Sequence, residues 1–181
     1  EWRDALIYLV MTDRFVNGDP SNDAPPQPDM PPSADWMGGD LAGLLARLED
    51  GYLESLGVSA IWLTPPQENP DHGEVERGRG SMGYHGYWPV KARTVDARFG
   101  SADELKAVIQ AAHERGIRVL MDFVANHVHD DHEYYAQYPQ WFNDGCECGT
   151  PGCGWTEYAL VCLFQPYMPD LDWTNADAAE R

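Results

Sequence analysis

An α/β fold built on a parallel sheet is predicted by three features of the sequence. Short apolar runs alternate with segments of helical periodicity, in the order strand, helix, strand, helix, strand. The apolar runs are continuous and partly β-branched, as expected of strands covered on both faces. The polar loops after the first two runs are long, and the C-terminal ends of parallel strands are where barrel enzymes build their sites. An open doubly wound sheet shows the same alternation. However, no Gly-rich phosphate loop follows the first strand, which counts against nucleotide binding.

The first strand is Ala5-Leu6-Ile7-Tyr8-Leu9-Val10-Met11. A stretch rich in Pro, Gly, Asn and Asp follows from Thr12 to Asp40, and an ordered loop of that length in a compact domain commonly has a function. Leu41, Leu44, Leu45, Leu48, Tyr52 and Leu56 then recur at helical spacing, predicting a helix closed by Gly57. Val58 to Leu63 is the second strand, ended by Pro65-Pro66, and a second long loop runs to about Phe99. Ser101-Ala102-Asp103-Glu104 fits a capping box, and Leu105, Val108, Ile109 and Ala112 give the apolar stripe of the helix it opens. Gly116 ends that helix and Ile117 to Val124 is the third strand. Periodicity is lost after Val128. His129-Asp130-Asp131-His132-Glu133 reads as a solvated loop entry, in preference to a metal site.

Composition narrows the function classes. A chain of 181 residues supports one core but falls short of the ~250 residues of a complete eight-fold β/α barrel. Hydrophobic residues at 43% and charged residues at 23% are an ordinary globular mixture. Seven Trp and nine Tyr suit either a packed core or flat platforms for a ligand. A net charge of −18 repels phosphate backbones and argues against nucleic acid as a partner. It suits a neutral substrate, bound divalent cations, a salty or extracellular setting, or solubility alone. No apolar run approaches the ~20 residues that span a membrane. The chain opens on Glu1-Trp2-Arg3-Asp4 without an initiating Met, as expected of a processed or excised piece from which any export signal has been removed.

Three stretches carry a resemblance. The first is Thr12-Asp13-Arg14-Phe15-Val16-Asn17-Gly18-Asp19, with Gly38-Gly39-Asp40 downstream. The second is Tyr84-His85-Gly86-Tyr87-Trp88. The third is Asp122-Phe123-Val124-Ala125-Asn126-His127, with Met168-Pro169-Asp170-Leu171-Asp172 after it. In this order and spacing the chain resembles glycoside hydrolase family 13, the α-amylase family, over essentially its whole length. Among members of that family it is most similar to secreted bacterial α-amylases and cyclodextrin glycosyltransferases.

The resemblance implies the N-terminal part of a (β/α)8 TIM barrel, with its first three βα units and a short Cys-containing inserted domain B. Residues 1–127 are then barrel, 128–172 the inserted excursion, and 173–181 the lead back toward a fourth strand. It also implies an extracellular enzyme that cleaves α-1,4 bonds of α-glucans with retention and is monomeric when complete. Tyr87 resembles the tyrosine that stacks on the sugar next to the scissile bond. His85 and His127 resemble the histidines that bind that sugar's hydroxyls. Asp122 resembles an aspartate that supports the site electrostatically and is not the nucleophile.

Calcium is implied in the same way. Asn17, Asp19, Asn22, Asp23 and Asp40, with the carbonyl of Gly38, resemble an N-terminal calcium site, and all are hard oxygen donors. Ordinary turn chemistry is the plain alternative for these residues. Asn126 and Asp170 resemble part of a second calcium site, with a further ligand expected beyond Arg181.

The family's nucleophile, general acid and third carboxylate follow its fourth, fifth and seventh strands. They are expected beyond Arg181, so the 181 residues alone are expected to be inactive and, with open sheet edges, marginal in stability. Cys146, Cys148, Cys153 and Cys162 allow three pairings; in a secreted enzyme two disulfides are favoured over zinc, with the pairing left open. The retained residues do not separate hydrolysis from cyclodextrin formation, other transglycosylation or isomerisation. A non-catalytic relative acting in binding, or a plain calcium module, explains less of the aromatic and histidine set.

Overall fold

The computed structural model describes residues 2–76 and 78–179. Along the chain lie β1 (Ile7–Val10), α1 (Leu41–Glu49), α2 (Tyr52–Ser55) and β2 (Ala60–Leu63). Four short strands follow: β3 (Gln67–Glu68), β4 (Glu74–Glu76), β5 (Arg79–Ser81) and β6 (Lys91–Val95). Then come α3 (Ala102–Glu114), β7 (Arg118–Met121), α4 (Glu133–Gln137) and α5 (Ala176–Ala179).

The three apolar runs pair as one parallel sheet in the order β1-β2-β7, with Val10 beside Leu63 and Leu63 beside Met121. Each strand is four residues long, shorter than the run that predicts it. Residues at the margins of the runs make single contacts instead: the Ser59 hydroxyl accepts the Leu6 N–H, and the Asp122 N–H reaches the Leu63 carbonyl.

Helices α1 and α3 cover one face of this sheet. Asp40 starts α1 by accepting the Gly43 N–H at 2.6 Å, and Ser101 and Glu104 form the reciprocal capping box predicted for α3. Leu41, Leu44 and Leu48 of α1 and Val108, Ala111 and Ala112 of α3 meet Val10, Ile61 and Leu63 in one buried cluster. Among the described residues the other face is largely open: Leu9 is 55% and Met121 45% exposed. The expectation of strands covered on both faces is therefore met on one face only, because these residues supply helices to a single side.

Three further expectations are corrected. The stripe from Leu41 to Leu56 is two helices, broken where Gly51 takes φ 77°. The break resets the helical phase, so Leu53 enters the core while Tyr52 and Leu56 stay largely exposed. The second long loop is not structureless: β3 pairs antiparallel with β6, and β4 with β5 forms a hairpin. His129 and His132 do not lie in a solvated loop entry but are buried. Each accepts a backbone N–H two residues on through its Nδ1, so the chain folds back over them.

The excursion after His127 contains α4 and little other regular structure. Cys146 pairs with Cys153 and Cys148 with Cys162, which decides the pairing. Its neck closes where His127 bridges Asp170 and the Leu171 N–H reaches the Asn126 carbonyl. No helix among the described residues is long and apolar enough to cross a membrane.

Candidate functional site

The ends of β2 and β7 and the loop between β5 and β6 converge on one group of side chains. Asp122 directly follows the end of β7, and its Oδ2 accepts the Tyr87 hydroxyl at 2.6 Å. The Tyr87 N–H donates to Nδ1 of His85 at 3.0 Å. The Tyr87 carbonyl lies 3.0 Å from Nε2 of His127. The four residues singled out from the sequence, His85, Tyr87, Asp122 and His127, are thus joined through Tyr87. Gly86 makes the turn possible: it takes φ 87°, and a Cβ there would sit 2.2 Å from the Pro65 carbonyl at the end of β2.

These contacts fix protonation. A carbonyl only accepts, so His127 carries its proton on Nε2; His85 accepts on Nδ1, which leaves its proton on Nε2. Burial lowers the pKa of His85 to about 4, helped by the nearby Arg14 charge and by repulsion from His127 whenever that ring is protonated. Burial also lowers that of His127, against its bond to Tyr87 and the charge of Asp170. Both imidazoles are therefore neutral near pH 7. Burial and the Asp122 carboxylate push the Tyr87 hydroxyl up to about 12, so it remains a donor.

Some participants were not legible in the sequence. Phe164, from the excursion, stacks on His127 with centroids 5.5 Å apart and rings 6° from parallel. Buried Asn69 accepts the Trp88 N–H at 3.0 Å and so orients the chain just after Tyr87. Arg14 lies 3.7 Å above the Tyr84 ring while pairing with buried Asp13. A conspicuous Arg in a loop motif was the one available signal; the Phe164 and Asn69 contacts depend on chain segments far apart in sequence.

The six residues expected at the first calcium site also gather in one loop. Asn17 Nδ2 donates to both carboxylate oxygens of Asp23, at 2.8 and 3.0 Å. Asp19 accepts the backbone and hydroxyl of Ser21, which hold its carboxyl below the usual range. Asp40 is fully buried and takes the N–H groups of Gly18, Asp19 and Gly43, so it braces the loop from behind. Two observations fit a hard cation here. The Asn22 Oδ1 is buried without a hydrogen-bond partner among the described residues. Gly38, at φ 80°, brings its backbone so close that a Cβ would lie 2.4 Å from Asp23 Oδ1. At the second place the Asn126 side chain bonds Asp170, and burial raises the Asp170 carboxyl above its ordinary value despite that bond.

A parallel sheet whose strand ends carry an aromatic ring, two neutral imidazoles and a carboxylate is the arrangement of a β/α-barrel segment with a candidate site on its C-terminal edge. The family model for the alpha amylase catalytic domain matches residues 9–144. The chain belongs to the alpha-amylase family, glycoside hydrolase family 13. It is 42% identical over 136 residues to the periplasmic alpha-amylase of Escherichia coli, covering 70% of this chain and 19% of that protein. It is 37% identical over 124 residues to the cyclomaltodextrin glucanotransferase of Paenibacillus macerans, covering 67% of this chain and 17% of that protein. The alpha-amylase of Geobacillus thermoleovorans, solved with acarbose, superimposes with a TM-score of 0.75 at 32% identity, over 99% of this chain and 36% of that one. The chain thus spans about a fifth of the length of these curated relatives.

Proposed function

We propose that this chain forms the first three βα units, the sugar-facing wall and the calcium loop of an extracellular retaining enzyme acting on α-1,4-glucans. The observation that carries the reading is the joining of His85, Asp122 and His127 to Tyr87 at 2.6 to 3.0 Å. In this reading the Tyr87 ring supplies an apolar face for a sugar. Neutral His85 directs its Nε2–H, and His127 its imidazole edge, at sugar hydroxyls. Asp122 is held in place by the Tyr87 hydroxyl, and its charge favours an oxocarbenium-like transition state without attacking it. The bond-breaking carboxylates follow later strands in this family, so the 181 residues alone are without glycosidase activity.

Calcium is held by Asn17, Asp19, Asn22, Asp23 and Asp40 with the Gly38 carbonyl, and a second ion in part by Asn126 and Asp170. When bound, the ion supplies fixed positive charge that gathers oxygen donors from separate segments. The periplasmic relative and the two disulfides support an exported protein.

The test is starch hydrolysis by the full-length protein. Tyr87→Ala is expected to lower kcat/KM about tenfold or more. An unchanged kcat/KM rejects the placement of the sugar. Chelation is expected to lower both Tm and activity, with calcium restoring them. A cyclodextrin-forming activity is the second reading, favoured by relatives that are cyclomaltodextrin glucanotransferases. Chromatography of the products decides between cyclic and linear glucans.

A further inference from the structure

We propose that His72, Glu74 and His129 form a site for a zinc-type divalent transition metal that staples the β4–β5 hairpin to the start of the excursion. One ligand atom from each lies within 4.8 Å of the others. Glu74 Oε1 stands between the rings, 3.3 Å from Nε2 of His72 and 3.4 Å from Nε2 of His129. Ligands ~2.0–2.1 Å from a tetrahedral zinc stand about 3.3 Å apart, so both separations are compatible with a shared coordination sphere as well as with direct ion pairs. Two imidazoles and a carboxylate suit zinc and its neighbours, not calcium.

The second observation is independent of the clustering. His129 is wholly buried, and its Nε2 has no hydrogen-bond partner among the described residues although it faces Glu74. Buried polar atoms are ordinarily satisfied, and a metal is one way to satisfy this one. The surroundings fit as well. Without a metal, Nδ1 of His129 accepts the Asp131 N–H, which leaves the ring proton on Nε2. Coordination through Nε2 moves that proton to Nδ1, which gives up the Asp131 N–H and donates instead to Asp130 Oδ1 at 3.2 Å. Asp131 Oδ2 lies 3.7 Å behind Nδ1 of His72. Carboxylates placed behind metal-binding imidazoles set the tautomer and raise ligand basicity.

The position gives the site a purpose. His129 lies 6.1 Å from the Trp88 ring, which in turn meets His85 edge-on at 4.8 Å. A metal here braces the wall of the candidate site from behind, at a place none of the oxygen-donor residues occupies.

The experiment uses purified full-length protein with calcium saturating, so that oxygen-donor sites are filled. Zinc is added, excess is removed by dialysis, and retained metal is measured together with X-ray absorption at the zinc edge. One retained zinc with two imidazole nitrogens at about 2.0 Å is expected. His72→Ala, at an exposed position, is expected to weaken zinc binding about tenfold or more and to abolish any rise of Tm with zinc. Glu74→Gln gives a second variant, with circular dichroism checking that each folds. The proposal is overturned if no zinc is retained, if the absorption spectrum shows oxygen ligands only, or if both variants hold zinc as the native protein does. In those cases Glu74 is held only by its direct contacts with the two imidazoles.

Discussion

From β1 to β7 the chain is held by aliphatic side chains: Leu41, Leu44, Leu48, Ile61, Leu63, Val108 and Ile117 are all essentially inaccessible. From Val128 to Asp172 the buried apolar set shrinks to a small group around Trp141 and Phe142, with a separate knot of Cys148, Cys153 and Cys162. One region buries methylene groups against a sheet and needs no cross-link. The other has too little apolar surface for its length and substitutes disulfides, ring stacking and single backbone bridges. The candidate site lies on the seam. Tyr87 and Asp122 come from the packed region, whereas Phe164, which stacks on His127, comes from the cross-linked one.

The comparison is easiest to break in the packed region. Leu44→Ala empties a fully buried position and is expected to cost about 2–5 kcal/mol, read by urea unfolding of the full-length protein. The loss should be the same with disulfides intact or reduced. A smaller loss in reduced protein would mean that the two regions fold as one unit.

Next comes the excursion. Replacing Cys148 and Cys162 together by Ser opens a link with a sequence separation of 14, worth about 3 kcal/mol of local stability. Limited proteolysis should then cut between residues 143 and 168 while the far-UV signal of the sheet and helices persists. Simultaneous loss of that signal would contradict the separation drawn here.

The seam itself titrates. Above pH 6.5 His85 is neutral both folded and unfolded and adds no slope. Between pH 6.5 and about 4 the unfolded chain takes up a proton that the folded site refuses, so stability falls as pH drops through that window. Denaturation midpoints measured across it should fall less steeply in His85→Gln, with His127 and His132, whose burial lowers them in the same direction, supplying the slope that remains. A midpoint that rises on acidification in the native protein but not in the variant would reverse the assignment.

The smallest effect sharpens the comparison. Ser101→Ala removes the cap of α3 and should cost about 1 kcal/mol in the packed region. Susceptibility of the excursion to protease should not change with it.

Local rules made much of this legible. The alternation of apolar runs and helical stripes placed β1, β2 and β7, and the Ser101–Glu104 spacing placed the start of α3, because period and capping are properties of neighbouring residues. The break at Gly51 is not legible because a Leu stripe continues through it, and only the backbone conformation shows the phase change. The polar string from His129 to Glu133 misleads for a related reason: charge density says nothing about whether Trp88 and Tyr167 will close over His129.

The amino-acid sequence by itself determined the order of strands and helices, the family resemblance and the residue types at the candidate site. Those follow from spacing along the chain. Only the tertiary structure decided which cysteines pair, that Tyr87 bonds Asp122 across 35 residues, and that His72 and Glu74 meet His129. Such meetings depend on how the loops return to the sheet, and loop return is governed by packing between distant segments that no local pattern encodes.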